Sequence, residues 1–299
     1  MRPSLLAVCI LSFSLAGQHG DPPSRPKVLG ISLVRFSASN LQDTKAFYNG
    51  SLDLREYPGR CFDPSSTCLW INLHQELELI PTDQTNAATS IEEIGFCTSD
   101  VKRMYAYLAS RGMQPGKIQQ TRDGNQFFEV TGPERHNILF TSRFLSGDMI
   151  VSNISSDIIH AGFIVHDRAA EDHFYKDILG FHVYWHGGMK DNQTDWVDMQ
   201  VPDGTDWIEY MLNVPANADH RTLGVMNHFA LGVPDIHAAE QQLLKNGMKL
   251  TEQPKIGRDG KWQLNLYDPD DTRVELMEFT PVEKPCCSEF TGPHPGPKR

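Results

Sequence analysis

The sequence predicts an α+β fold built from four copies of one β-α-β-β-β unit. Residues 33–54 and 160–181 each contain an apolar strand, a polar turn and a helix that ends near a Phe-Tyr pair. Residues 94–115 and 229–250 each contain an apolar strand, an Asp, a helix with apolar residues at helical spacing and a Gly-Met stop. Such internal similarity indicates that a single structural unit recurs along the chain.

Each predicted helix is followed by short runs in which apolar and polar residues alternate, broken by Gly, Pro, Asp and Asn. This pattern is typical of two or three antiparallel strands. The clearest runs are CLWINLHQELELI at 68–80, DWVDMQVPDGTDWIEYML at 195–212 and KWQLNLYDPDDTRVELMEF at 261–279. The strands therefore complete the unit that each helix begins.

Pairs of units predict two domains, at residues 27–144 and 155–281. A chain of 299 residues is long enough for two domains of ordinary size. The tail at 282–299 is rich in Pro and Gly and is predicted to be an irregular extension.

The first residues predict export. Arg2 precedes an apolar stretch from Leu5 to Ala16, which is too short to span a bilayer but is typical of a signal-peptide core. We therefore expect residues 1–16 to be a signal peptide that is cut near Ala16. The mature protein would be periplasmic or extracellular, without a membrane attachment.

The charge of the chain excludes one class of partner. Lys and Arg number 27 against 38 Asp and Glu, which gives a formal net charge of −11 at pH 7. A nucleic-acid binder is expected to carry a basic patch, and no long basic cluster occurs in the sequence. The predicted partner is a small-molecule substrate, and we expect a monomer or a homodimer.

The cysteines predict one disulfide. Cys61 and Cys68 flank the turn-rich FDPSST, with extended residues on both sides. In an oxidising compartment this arrangement favours a disulfide across a hairpin. For the adjacent Cys286 and Cys287 the sequence allows either two free thiols or a disulfide.

Four ionisable side chains in the second half of the chain predict a metal site: His160, Glu209, His228 and Glu275. Each lies inside an apolar, strand-like run, where a charged group costs several kcal/mol unless it is paired or binds a metal. The order His, Glu, His, Glu indicates that two copies of one unit bring their ligands to one centre. Imidazole and carboxylate ligands favour a divalent ion of Fe, Mn, Ni, Co or Zn.

With these four units and a closing LYDPDDTRVELMEF, the chain from 27 to 281 resembles the vicinal oxygen chelate superfamily. The segments HAGFIVHDRAAEDHFYKDILGF and HFALGVPDIHAAEQQLLKNGM carry the resemblance as well. The resemblance implies two domains with cupped, mostly antiparallel sheets, whose first and last strands supply metal ligands. In the N-terminal domain the corresponding positions are Leu33, Glu78, Glu93 and Ile138, so a metal site is expected only in the C-terminal domain.

The resemblance implies three alternative functions. The order His, Glu, His, Glu is similar to the glyoxalase I branch, whose lyase or isomerase chemistry uses a metal to polarise a carbonyl and a carboxylate to move a proton. Glu209 or Glu275 would be that carboxylate, and Tyr267 is a further catalytic candidate.

The first alternative is an extradiol ring-cleaving dioxygenase with Fe(II), because those enzymes also place the metal in the second of two tandem domains. They carry a His where this chain has Glu209, and another His shortly before the last strand that is missing here. The second alternative is a non-catalytic small-molecule binder.

Aromatic residues near the predicted ligands suggest the substrate pocket. The candidates are Tyr184, Trp185, Trp207 and Trp262. Pockets for small molecules are lined mainly by apolar and aromatic side chains. The predicted substrate is accordingly a flat or apolar carbonyl or aromatic compound.

Overall fold

The structure is a computed structural model that describes residues 23–59, 61–83, 91–142 and 151–297. The predicted signal peptide lies outside the described residues. Within them, no helix is both long enough and apolar enough to cross a membrane.

The first half of the chain forms an eight-stranded sheet with two helical segments. Its elements are β1 (Val28–Ala38), α1 (Leu41–Lys45) followed by a π-helical turn (Ala46–Ser51), β2 (Arg55–Glu56), β3 (Thr67–Trp70), β4 (Glu76–Pro81), β5 (Ile91–Thr98), α2 (Val101–Ser110), β6 (Gln119–Gln120), β7 (Gln126–Thr131) and β8 (Asn137–Thr141). The strand order is β2-β3-β4-β1-β5-β8-β7-β6.

The second half repeats this arrangement. Its elements are β9 (Ile158–Ile164), α3 (Arg168–Asp172) followed by a π-helical turn (His173–Ile178), β10 (His182–Gly187), β11 (Trp196–Gln200), β12 (Trp207–Met211), α4 (His220–Met226), β13 (His228–Val233), α5 (Ile236–Lys245), β14 (Lys255–Ile256), β15 (Trp262–Tyr267) and β16 (Arg273–Glu278). The strand order β10-β11-β12-β9-β13-β16-β15-β14 matches that of the first sheet. The α+β fold of four β-α-β-β-β units is therefore confirmed.

The same side-chain cap begins the helix of every unit. Asn40, Asp100, Asp167 and Asp235 each accept a hydrogen bond from the backbone N–H three residues later. Such a cap satisfies one of the N–H groups that the first helical turn leaves free. The Asn or Asp after each apolar strand is thus the point at which the chain turns from strand to helix.

The two halves share one hydrophobic core. Phe36 of the first sheet stacks on Phe229 of the second at 5.9 Å between ring centroids. Buried polar contacts cross the junction as well, because the Gln75 side chain accepts from the Ile158 N–H at 2.9 Å and donates to the Ile158 carbonyl at 2.7 Å. These bonds fix the start of β9, the strand that carries His160.

The N-terminal sheet contains a buried arginine where the C-terminal sheet has a glycine. Arg35 and Gly162 occupy equivalent positions in β1 and β9, as the pairing of β1 with β4 and β5 shows. The Arg35 guanidinium forms an ion pair with Glu78 at 2.7 Å and a second ion pair with Glu93. A protein cation thus lies between the two carboxylates.

Strand pairing corrects one predicted equivalence. Because Gly95 pairs with Leu139 in the first sheet as Ala230 pairs with Glu275 in the second, Leu139 corresponds to Glu275. Ile138, which the sequence comparison selected, corresponds to Val274 on the opposite face. Leu139 is buried with Leu33 and two phenylalanines, so the N-terminal cup is apolar beside its ion pairs.

The predicted disulfide between Cys61 and Cys68 is present. It closes the segment that leads into β3 and lies beside the N-terminal cup, since the Phe62 N–H donates to Glu78. Cys286 and Cys287 also form a disulfide.

We expect Arg35→Met to destabilise the protein by about 3 to 5 kcal/mol, because it leaves Glu78 and Glu93 buried without a counter-charge. Glu93 already has its pKa raised to about 8, chiefly by burial, and Arg35 opposes that rise. Urea unfolding at pH 8 would measure the loss. Arg35→Lys is the control, since it keeps the charge, and an unchanged unfolding midpoint for Arg35→Met would contradict the stabilising role of this ion pair.

Candidate metal centre

Four adjacent strands bring the four predicted ligands together. The first strands of the two C-terminal units, β9 and β13, pair antiparallel, and each pairs in parallel with the last strand of its own unit. The central order is therefore β12-β9-β13-β16, and these strands carry Glu209, His160, His228 and Glu275 in turn. Both imidazoles and Glu275 are buried, whereas the Glu209 side chain is 14% exposed.

The donor atoms of these side chains face one another. The Nε2 atoms of His160 and His228 are 3.1 Å apart. Glu209 Oε2 lies 3.0 Å from His228 Nε2 and 4.0 Å from His160 Nε2. Glu275 Oε2 lies 3.6 Å from His160 Nε2 and 3.9 Å from His228 Nε2. All four side chains are thus directed at a common point.

Gly162 makes room for the His228 ring. It pairs with His228 across the antiparallel strands, and a Cβ atom at this position would overlap the imidazole. The corresponding pair in the N-terminal sheet is Arg35 and Glu93, which has no ring to accommodate. The absence of a side chain at Gly162 is therefore a requirement of this site.

The electrostatic surroundings favour neutral imidazoles. Burial holds the pKa of His160 and of His228 well below the usual range. His228 Nδ1 lies 3.1 Å from the Met226 carbonyl, so this nitrogen carries the hydrogen and Nε2 presents a lone pair. Neutral imidazole with a free Nε2 is the form that binds metal ions.

The carboxylates are also perturbed. Burial raises the pKa of Glu209 and of Glu275 to about 7, while the positive charge of Arg273 opposes the rise in both. Two carboxylates and two nitrogen lone pairs that face one another repel unless a proton or a cation lies between them.

A divalent ion fits this donor set. Zn²⁺ and similar ions bind imidazole nitrogen and carboxylate oxygen at about 2.0 to 2.2 Å, which puts neighbouring donor atoms about 3 to 4 Å apart. The separations between 3.0 and 4.0 Å fall in this range. His160, Glu209 and His228 each offer one donor atom within 4.8 Å of the others, and Glu275 approaches both imidazoles from the next strand.

The centre lies on the wall of a cavity of about 340 Å³. Two of the predicted pocket residues, Trp185 and Trp207, line it, and Trp196 adds a third indole. The Trp185 indole N–H donates to the Cys286 carbonyl at 3.2 Å, so the C-terminal tail holds this wall in place.

Two predicted pocket residues lie elsewhere. Tyr184 is buried behind Trp207, at 5.3 Å between ring centroids, and packs against Phe290 of the tail. Trp262 packs on the opposite face of the sheet, against His237 of α5 at 4.9 Å. Neither side chain reaches the cavity wall.

Tyr267 also lies outside the cavity wall. Its hydroxyl donates to Glu252 Oε1 at 2.5 Å, and the Arg221 guanidinium covers its ring at 4.7 Å. These contacts anchor the strand end and give no support to the predicted catalytic role of Tyr267.

The sequence reasoning missed several polar residues of the wall, among them Asp198 and Arg273. Strand alternation could have found them. Asp198 pairs with Glu209 on the neighbouring strand, and Arg273 lies two residues before Glu275 on the same strand, so both point to the ligand side of the sheet.

Comparison with known proteins finds a family match in the C-terminal half of the chain. A profile of the Glyoxalase/Bleomycin resistance protein/Dioxygenase superfamily matches residues 157–276. None of the curated proteins matches the sequence significantly.

Similar solved structures are 2,3-dioxygenases. A variant of homoprotocatechuate 2,3-dioxygenase from Brevibacterium fuscum aligns with a TM-score of 0.65 at 16% identity, over 86% of this chain and 73% of its own. The enzyme of that name from Arthrobacter globiformis gives 0.65 at 15% identity, over 87% and 82%. The 2,3-dioxygenase LapB from Pseudomonas sp. KL28 gives 0.65 at 16% identity, over 92% and 96%. At these identities the similarity establishes the fold.

We expect Gly162→Ala to weaken metal binding by about 10- to 100-fold, because the new methyl group displaces the His228 ring from its donor position. Zn²⁺ affinity, measured by competition with a chelating dye, is the readout. Gly50→Ala is the control, since a Cβ there meets no atom within 4 Å. Equal Zn²⁺ affinities for Gly162→Ala and the wild type would contradict the assignment.

Metal affinity should fall as the pH decreases below about 7. Glu209 and Glu275 have a pKa of about 7 without metal, so each must release a proton before it can bind the ion. The apparent affinity then drops by up to about tenfold per pH unit for each carboxylate. The neutral imidazoles release no proton over this range. Dye competition at pH 8, 7 and 6 tests this. A constant affinity would exclude both carboxylates as ligands, and a fall of only about tenfold per pH unit would indicate that one of them binds the ion.

Proposed function

Because the C-terminal domain belongs to the Glyoxalase/Bleomycin resistance protein/Dioxygenase superfamily, we propose that the chain is a divalent-metal-dependent enzyme with a small-molecule substrate. The observation that carries the proposal is the convergence of two imidazoles and two carboxylates on the wall of a cavity of about 340 Å³. The superfamily match agrees with the resemblance noted from the sequence. Proteins with this fold, however, catalyse many different reactions, so the reaction must be inferred from the residues of the site.

The first candidate reaction is extradiol-type cleavage of an aromatic ring. The solved structures named above share the two-domain fold over most of the chain and are 2,3-dioxygenases. His160, His228 and Glu275 provide two imidazoles and one carboxylate, the set that suits Fe(II) with open coordination positions. Bound Fe(II) would supply the positions at which a diol and oxygen meet. Ring cleavage therefore takes the place of the lyase reaction as the first candidate, because the solved structures named above are dioxygenases.

The chain's own residues would orient the ring and move a proton. Trp185, Trp196 and Trp207 offer flat apolar surfaces beside the centre. Glu209 is the most exposed of the four ionisable groups, and its pKa of about 7 suits a general base near neutral pH. In the ring-cleaving reaction Glu209 would take the proton of a substrate hydroxyl, and the metal would be held by His160, His228 and Glu275.

The second candidate is lyase or isomerase chemistry of the glyoxalase I type. Glu209 Oε2 lies 3.0 Å from His228 Nε2, near enough to be a fourth protein ligand. Four ligands leave less room for both a diol and oxygen, and they favour a reaction in which a carbonyl is polarised and a carboxylate moves the proton of the adjacent carbon. The position of Glu209 on or off the metal therefore separates the two candidates.

Oxygen uptake separates the candidates directly. Protein loaded anaerobically with Fe(II) is mixed with catechol derivatives in an oxygen electrode, and one O₂ consumed per ring-opened product supports ring cleavage. Protein loaded with Ni²⁺ or Zn²⁺ is mixed with α-hydroxy ketones in D₂O, and deuterium exchange at carbon without O₂ uptake supports the second candidate. Stoichiometric metal with neither activity would indicate the non-catalytic binder.

We expect Glu209→Gln to lower kcat by about 10²- to 10⁴-fold because a general base is lost. If Glu209 stays off the metal, the Fe(II) content is retained in this variant. Glu275→Gln is the matched comparison and should lose the metal. Full activity of Glu209→Gln would contradict its role as the base, and loss of metal from it would favour the four-ligand centre.

We also propose that the mature protein acts outside the cytoplasm. The disulfides Cys61–Cys68 and Cys286–Cys287 persist in oxidising compartments, which agrees with the signal peptide expected from the sequence.

A further inference from the structure

One cation on the cavity wall has no counter-ion. Arg273 begins β16, where Arg273, Glu275 and Met277 face the cavity and the residues between them face the core. Among the described residues, Arg273 forms no hydrogen bond or ion pair, and its buried Nε has no partner. A buried guanidinium N–H without an acceptor is costly, so a partner from outside the chain is expected.

The other cations of the wall are already satisfied. Arg258 donates to Asp191 and, at 3.1 Å, to the Gly188 carbonyl. Lys255 forms an ion pair with Glu252 at 3.0 Å. Arg273 is therefore the wall's unpaired positive charge within the described part of the chain.

The nearest acidic groups do not neutralise Arg273. Its charge influences Glu209 and Glu275, but neither carboxylate comes within ion-pair distance of the guanidinium. Both carboxylates face the two imidazoles instead. Once a divalent ion occupies that centre, its charge engages these carboxylates and Arg273 remains available.

We propose that Arg273 is an anion subsite that binds a carboxylate group of the substrate, while the substrate's oxygen functions reach the centre formed by His160 and His228. A guanidinium presents paired N–H donors that match a carboxylate. Two residues of strand separate Arg273 from Glu275 by about 7 Å, close to the distance between the carboxylate and the ring hydroxyl of a hydroxylated aromatic acid. The substrate class is thus an aromatic or unsaturated acid with oxygen functions at its other end.

The second half of this proposal rests on the proposed metal-dependent function, whereas the anion subsite stands on Arg273 alone. Three kinds of probe separate them: catechol, which carries only the diol; benzoate, phenylacetate and phenylpropanoate, which carry only the acid; and the 3,4-dihydroxy derivatives of these acids. Affinities are measured calorimetrically with Zn²⁺-loaded protein, so that no turnover occurs.

We expect Arg273→Met to weaken binding of the acids and dihydroxy acids by about 10- to 100-fold, the effect of a lost charge-assisted hydrogen bond. Catechol affinity should change less than about twofold by the same reasoning. Arg273→Lys should restore part of the loss, because it keeps the charge without the paired donors. Arg258→Met is the matched control on the same wall, and it should not weaken binding of the acids relative to catechol.

Equal losses for catechol and the acids in Arg273→Met, or no loss for the acids, would overturn the anion subsite. Unchanged melting temperatures of the variants show that the fold is kept. If the acids bind through Arg273 but catechol fails to bind the Zn²⁺-loaded protein, the subsite stands and the proposed diol chemistry fails.

Discussion

The structure of the C-terminal domain depends on an electrostatic conflict in its interior. The Nε2 atoms of His160 and His228 lie 3.1 Å apart. A carboxylate oxygen of Glu209 lies 3.0 Å from the His228 nitrogen, and one of Glu275 lies 3.6 Å from the His160 nitrogen. Burial keeps the imidazoles neutral and raises the pKa of both glutamates to about 7, so above neutral pH no hydrogen lies between these facing lone pairs. A divalent cation would resolve the conflict, and the strand pairing and the missing side chain at Gly162 keep the four side chains in this arrangement.

The N-terminal domain resolves a related conflict with its own side chain. Glu78 and Glu93 occupy the positions of Glu209 and His228, and the Arg35 guanidinium lies between them. Leu33 and Leu139 replace the other two ligands. In the N-terminal domain the Arg35 guanidinium thus occupies the position where a metal ion would bind. In the C-terminal domain the equivalent residue is Gly162, which has no side chain to fill that position. The N-terminal domain also supports the C-terminal site, because Gln75 forms hydrogen bonds with the backbone of Ile158 at the start of the strand that carries His160.

In the proposed enzyme the reaction would depend on how Glu209 and Arg273 contact the substrate. Glu209 is near enough to the imidazoles to bind the metal and exposed enough to act on a substrate, so the same side chain distinguishes ring cleavage from isomerisation. Arg273 lies two residues before Glu275 on the same strand and presents to the cavity a cation whose buried Nε has no partner among the described residues. Glu209, Arg273 and the three indoles of Trp185, Trp196 and Trp207 line the same cavity.

The sequence by itself determined the repeat and the four candidate ligands, because ionisable residues inside apolar strand runs are visible without a structure. It did not determine which neighbours face the cavity. A register shift between Val183 and Trp185 interrupts strand alternation and turns Tyr184 away from the wall. Hydrogen-bonded pairing, rather than sequence spacing, makes Leu139 the counterpart of Glu275. Only the tertiary structure could show that Arg273 lacks a partner, since pairing depends on what the other strands bring within reach.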